Sequence, residues 1–289
     1  MIAPVGPLAE SLDPSADQWP PWRERCEGAP GLERMGSSDA TRPADVPNPV
    51  WLSWRHFRLE RRDAGYWRVT FDHPPINAVT ATTVEELAEL VGLIELAGEL
   101  NVVVFDSANP GVYLGHHDAG GAAEGTTLAA PGGPSAMSTW NDLLARLSRA
   151  PVVSIACIRG RTCGAGSEFV LACDMRFASR ENTLLGRLDV GPGQSPGDGP
   201  AARLGGLVGQ GRALEVVLAG QDLDGPRAEQ YGYVNRVVED GRLEREVDAI
   251  AARLAASDHE AIGRIKRRVQ QPPGPEPAPA RVPRVEAVG

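Results

Sequence analysis

The stretch IACIRGRTCGAGSEFVLACDMRFAS, residues 155–179, decides the fold. It continues an apolar run that starts at Val152, so residues 152–158 (VVSIACI) read as a buried strand. Residues 159–164 (RGRTCG) break that run with two glycines. A short helix is expected from about Gly166, and a second strand near Met175, Arg176 and Phe177. Strand, glycine turn, helix and strand in this order give an α/β chain. Gly164, Ala165 and Gly166 let backbone approach backbone or ligand closely, because two of the three lack a side chain. The helix behind them presents unpaired N–H groups, and its dipole favours negative charge there. Glu168 falls in the first turn of that helix. It either complements the dipole or does chemistry beside those N–H groups.

Upstream, Phe57, Arg58, Leu59 and Glu60 alternate, Asp63, Ala64 and Gly65 turn, and residues 66–71 (YWRVTF) alternate again, which is a hairpin. Thr83 and Glu86 have the spacing of a capping box, followed by Val84, Leu87, Leu90, Val91, Ile94 and Ala97 at helical spacing. Residues 102–105 (VVVF) form a bare apolar strand of the kind buried on both faces. Residues 107–137 are a glycine-rich connection, long enough to suggest that it binds something. Trp140, Leu143, Leu144 and Leu147 mark another helix. Downstream come a short strand at Leu184 and Leu185, a Gly/Pro-rich loop at 191–200, helices at about 201–208, 210–219 and 226–231, a strand at 233–238, and helices at 242–256 and 258–270. The ends differ in kind. Residues 1–50 hold nine prolines and residues 271–289 hold six, compositions that bury too little surface to offset ordering entropy. We therefore expect a disordered arm over 1–50, a folded core over 51–225, a C-terminal helical region over 226–270, and a disordered tail over 271–289.

Composition removes several function classes. Of 289 residues, 29 are Lys or Arg and 38 are Asp or Glu, a formal charge of −9, so the basic field of a nucleic-acid binder is missing. No apolar run approaches the roughly 20 residues of a membrane-spanning helix, and the N-terminus does not read as a secretory signal. The four cysteines, Cys26, Cys157, Cys163 and Cys173, form no CxxC pair, which fits a reducing cytoplasm. The histidines show no HExxH or HxxxH spacing, and no metal site is expected.

Two further features carry potential chemistry. Asp189 sits in GRLDVG, residues 186–191, just after a strand and before the Gly/Pro-rich loop. It serves either as a turn residue paired with Arg187 or as a second acid. Tyr113, Leu114, Gly115, His116, His117 and Asp118 form a second loop whose N–H groups could converge with the turn at Gly164.

The order of these motifs resembles the crotonase, or enoyl-CoA hydratase/isomerase, superfamily. The matching stretches are FDHPPINAVT (71–80), VVVFDSANPGVYLGHHD (102–118), residues 155–179, LLGRLDVGPGQSPGDGPAARLGGLVG (184–209), GRALEVVLAGQDLDGPRAEQYGYVNRVV (211–238) and EAIGRIKRR (260–268). The resemblance implies a crotonase-like spiral of ββα repeats with a C-terminal helical region that makes trimers or paired trimers. It implies acyl thioesters of coenzyme A as substrates, with coenzyme A part of the substrate and no separate cofactor. By the same resemblance the backbone N–H groups of His117 and Ala165 hold the thioester oxygen while charge develops on it, an arrangement worth roughly 3–4 kcal/mol per donor. Glu168 and Asp189 match the two catalytic acids, which share a water and pass its proton. Gly115, His116, Asp118, Gly164, Gly166 and Gly197 line the substrate's path in this reading. Lys266, the only lysine, falls with Arg264, Arg267 and Arg268 where relatives set basic residues near the coenzyme A phosphates.

This chain also departs from the family pattern. Asp189 stands where hydratases carry Glu, retracting the carboxylate by about 1.5 Å, and Asp at this place is seen in some isomerases. Leu188 replaces a common proline, Ala165 a common glycine, and His116 with His117 a small pair. Ala165 is compatible with the role provided its φ is negative. The expected activity is enoyl-CoA hydration or dehydration, then double-bond isomerisation. Other enolate chemistry on a coenzyme A or carrier-protein thioester, or binding without catalysis, are the alternatives. Residues 160–164 (GRTCG) also imitate a nucleophile elbow, with Thr in the nucleophile's place and His259 the only later histidine. A nicotinamide site is disfavoured because no G-x-G-x-x-G opens a helix.

Overall fold

The computed structural model describes residues 50–118, 136–186, 198–220 and 222–270. Within them nine strands form one mixed sheet. Strands β1 (Val50–Ser53), β2 (Phe57–Arg61) and β3 (Tyr66–Phe71) run antiparallel to one another. Strand β4 (Val102–Ser107) then lies parallel to β3. Strand β6 (Val153–Thr162) lies parallel to β4 and also to the short β5 (Val112–Leu114). Strand β7 (Met175–Leu185) follows parallel to β6 and carries β8 (Leu223–Asp224) and β9 (Arg236–Val238). The helices are α1 (Ala81–Leu96), α2 (Ala136–Arg149), α3 (Ala165–Ala172), α4 (Asp198–Val208), α5 (Gln210–Ala219), α6 (Gly225–Tyr231), α7 (Asp240–Ala255) and α8 (His259–Gln270). The units β2-β3-α1 and β4-β5-α2 give the ββα repeat, and β6-α3-β7 is a tight crossover.

Strand β4 shows why the chain takes two layers of helix. Val103 and Phe105 face the core beneath α1 and α2, while Val102 and Val104 face a second core. Side chains alternate across a strand, so an unbroken apolar run needs cover on both faces. The second cover is α7, whose Leu243, Val247 and Ala251 recur every four residues and pack with Val102, Val104, Ile155 and Cys157. Residues beyond 225 are thus built into the sheet: β9 pairs with β7 and α7 closes the second face.

Some local expectations are corrected. The first helix starts at Ala81 and its N-cap is Thr80, which forms a reciprocal box with Thr83. Glu86 does not cap; its carboxylate accepts from the amides of Arg55 and His56, tying α1 to the entry of β2. The two short strands expected near residues 175 and 184 are one strand, β7. The strand expected from 233 starts at Arg236. Strands β1 and β5 lay outside the expected strands, β1 at the edge of the proline-rich arm and β5 within the glycine-rich connection.

Candidate active site

The site is assembled at the N-terminus of α3. Gly164 is the N-cap, with φ 51°, and no side chain caps the helix. A residue with a Cβ is strained at that φ, which is why glycine stands there. Ala165 begins the helix and has negative φ, the condition an alanine at this place has to meet. Gly166 has a different use from the one expected. A Cβ there would lie 1.9 Å from the Leu114 carbonyl oxygen, so its bareness admits the protein's own loop rather than a ligand. Its N–H donates to the Gly115 carbonyl at 2.9 Å. Gly115 likewise faces protein backbone, 2.7 Å from the Ile76 carbonyl oxygen if it carried a Cβ. These two glycines join the loop at residues 114–118 to the start of α3.

That join brings together the two segments expected to supply the N–H pair. Val79 donates to the His116 carbonyl at 3.0 Å and accepts from the Asp118 amide at 3.0 Å. The resulting parallel bridge to His117 passes over the His117 amide. At α3, Gly166 donates to Gly115 and Cys163, and Glu168 to Gly164, while the Ala165 amide enters none of the backbone bonds among the described residues. The bridge to Val79 depends on Asn77, a buried residue with φ 48°. Its carbonyl accepts from Gly115, and its side-chain amide bonds Ser107, Val112 and Tyr113. Asn77 lies within the matching stretch 71–80, where no spacing or pattern marks its role.

Glu168 is 5% exposed. Trp140, fully buried on α2, donates its indole N–H to the Glu168 Oε2 at 2.8 Å. In the sequence Trp140 is marked only by its place on an apolar stripe. The available signal was general: a buried tryptophan needs an acceptor for its N–H. Phe169, the next residue, packs edge-on against Phe71 and Phe105, at 5.4 and 5.0 Å between ring centres, which seats α3 on the core. Arg203 on α4 is half-buried. Burial lowers its pKa, and the charge of Glu168 opposes that shift. The His117 ring packs edge-on against Trp140 at 5.2 Å. Burial lowers the His117 pKa, and a hydrogen bond to the Val79 backbone opposes the drop.

Other expected residues are placed elsewhere. Lys266 is not a solvated cation for a ligand's phosphates. It is 7% exposed, donates to the Val152 carbonyl at 2.7 Å and pairs with Asp174 at 2.7 Å. It holds α8 against the sheet. Asp189 and Gly197 lie outside the described residues, as do the arm over 1–49, the greater part of the glycine-rich connection, and the tail over 271–289. His116 and Asp118 flank His117 on the same loop.

The nucleophile-elbow alternative is not favoured. Thr162 is fully buried beneath Ser167, and His259 is turned to Asn101 at 3.1 Å. Burial pushes the thiols of Cys157 and Cys173 up to about 12, so both stay protonated near neutrality. Among the described residues there is no cluster of three metal-ligating side chains, and no helix is long and apolar enough to cross a membrane.

Comparison with known proteins agrees with this architecture. A family model described as Enoyl-CoA hydratase/isomerase matches residues 61–279. A Streptomyces avermitilis structure classed with the enoyl-CoA hydratases is 40% identical, with TM-score 0.67, over 75% of this chain and 78% of that one. An enoyl-CoA hydratase structure from Geobacillus kaustophilus is 26% identical, with TM-score 0.67, over 75% and 81% of the two chains. The short-chain-enoyl-CoA hydratase of Clostridium acetobutylicum is 29% identical over 204 residues, 70% of this chain and 77% of that protein.

Proposed function

This chain belongs to the enoyl-CoA hydratase/isomerase family, and from that premise we propose that it adds water to, or removes it from, an acyl-CoA thioester through an enolate. In the hydration direction the amides of His117 and Ala165 hold the thioester oxygen. Water oxygen bonds to Cβ, the Cα–Cβ π electrons move onto the thioester, and the water's proton passes to a carboxylate. Protonation of Cα from the acid pair then restores the carbonyl. Glu168 and Asp189 form that pair. The reaction is a net addition of water and needs no cofactor beyond the coenzyme A carried by the substrate. Two fixed N–H dipoles aimed at the enolate oxygen stabilise it by roughly 3–4 kcal/mol each.

The observation that supports this reading is the Gly166-to-Gly115 hydrogen bond. It brings both amide-bearing segments to one place, with Glu168 a single helical turn away and fixed by Trp140. Asp189 supports a second reading, double-bond isomerisation, because its retracted carboxylate is less suited to placing water and some isomerases of this family carry Asp there. We further propose a cytoplasmic trimer, or a hexamer of paired trimers.

A panel of enoyl-CoA and saturated acyl-CoA thioesters tests this. Hydration of the former and solvent-deuterium exchange at Cα of the latter are expected in the wild type, with both reduced in Glu168→Gln. Loss of hydration with survival of isomerisation identifies the second reading. Glu168→Gln and Asp189→Asn variants that both retain every activity remove the assigned roles.

A further inference from the structure

Ser167 stands beside Glu168 in the chain, and the chemistry above gives it no part. Its side chain is fully buried, and its hydroxyl donates to the Gly186 carbonyl at 2.9 Å, with the Thr162 hydroxyl 3.4 Å away. The Gly186 amide donates to the Thr162 carbonyl at 2.7 Å. A Cβ at residue 186 would lie 2.5 Å from that carbonyl oxygen, so glycine is what lets the end of β7 approach β6 this closely. Gly186 is buried and held from two sides, by β6 through its N–H and by α3 through its C=O. That C=O belongs to the peptide through which the chain leaves β7. A peptide is planar, so fixing its oxygen fixes the direction of departure. Asp189 follows three residues later, within about 11 Å of Gly186 even at full extension.

Resting on the two-acid reading above, we propose that Ser167 is a positioning residue whose hydroxyl holds the Gly186 peptide and so sets where Asp189 stands relative to Glu168. The helix itself does not need this bond to stay in place. Gly166 ties α3 to Gly115, Trp140 bonds Glu168, and Phe169 packs on Phe71 and Phe105. Removing the hydroxyl therefore leaves the N–H pair and Glu168 seated, and leaves a buried carbonyl that must turn toward another donor. The dependence is sharper in this chain than it would be with Glu at residue 189. Aspartate has one side-chain torsion fewer and cannot make up for a displaced backbone, and a misplacement of about 1 Å costs about 100-fold in rate.

The test uses butyryl-CoA as both ligand and reactant. Calorimetry gives its Kd, and solvent-deuterium exchange at Cα gives the rate that the acid pair supports. In Ser167→Ala, exchange is expected to slow about 10- to 100-fold while Kd stays within about threefold of the wild type. Ser167→Cys, a weaker donor of similar shape, falls between the two. In an Asp189→Asn background the same Ser167→Ala change costs no more than about threefold, because its effect runs through that acid. A merely structural serine would lose the same factor in both backgrounds, or lose affinity along with rate. Either of those results, or wild-type exchange in Ser167→Ala, overturns the inference while the acid pair stands. Wild-type exchange in Asp189→Asn, or no binding of butyryl-CoA by the wild type, instead removes the underlying functional reading, and this one with it. If Ser167→Ala does not fold, Ser167→Cys decides by the same split: a slower rate at unchanged Kd is expected, and an unchanged rate overturns the inference.

Discussion

Trp140 helps to position Glu168 through an indole-to-carboxyl hydrogen bond between two buried side chains. Replacing it by Phe keeps most of the packed volume and removes the donor. Bonds of this type contribute about 1.5–3 kcal/mol, so kcat/KM in Trp140→Phe should fall roughly 10- to 100-fold. Steady-state kinetics on an enoyl-CoA checks this, with thermal unfolding to separate lost placement from lost fold. His56 gives a second expectation. It is buried, stacked on His73 at 3.7 Å, and its Nδ1 lies 2.6 Å from the Thr83 hydroxyl. Burial lowers its pKa below the usual 6.5, with His73 and then Arg55 adding to the drop and Glu86 opposing it. The native state therefore holds fewer protons than the unfolded chain just below pH 6.5. Stability tied to this group is present above that value and declines as pH falls through it. His56→Asn can still bond Thr83 and should flatten the decline of Tm between about pH 7.5 and 5.5.

At the scale of elements, long periodic segments were legible in the sequence and short ones were not. The first helix and strand β4 were read correctly because their apolar spacing repeats over several positions. Strand β5 has three residues and, among the described residues, pairs with β6 alone, so it carries no local period. The capping box was misread for a related reason. Thr83 is itself the N3 residue of the helix, and the carboxylate of Glu86 answers to distant amides that no spacing rule sees. Lys266 is the instructive case. As the last helix's lone lysine it resembled a solvated ligand for phosphate, yet its ammonium is enclosed between Asp174 and Val152. Asp174 also accepts from the amide and hydroxyl of Ser154. Breaking such a pair strands a buried charge, so Lys266→Met should cost about 3–5 kcal/mol. Chemical denaturation measures it, and a loss under about 1 kcal/mol would mean that water already screens the pair.

For the whole molecule, the α/β class and the family were legible because co-linear motifs run through most of the chain, while the construction of the candidate site was not. The loop at residues 114–118 and the turn at residue 164 look like separate glycine-rich turns in one dimension. Only the sheet shows that β5 lies along β6 and delivers Gly115 to Gly166. The same limit applied to Trp140 and Glu168, whose apolar stripe and helix-start positions each had an ordinary local explanation. Residues 226–270 were expected as a C-terminal helical region, and the bare strand β4 already implied that something must cover its second face. That cover is α7.

The Gly166-to-Gly115 bond has a kinetic consequence. Contacts between residues far apart in the chain form late, because loop closure must precede their reward, whereas helices form on the microsecond scale. Diluted from denaturant, the protein should regain its far-ultraviolet helical signal before it regains turnover, and the lag should lengthen in Asn77→Ala, which loosens the loop that carries Gly115. Simultaneous recovery of both signals would show that this junction is already formed in the rate-limiting ensemble.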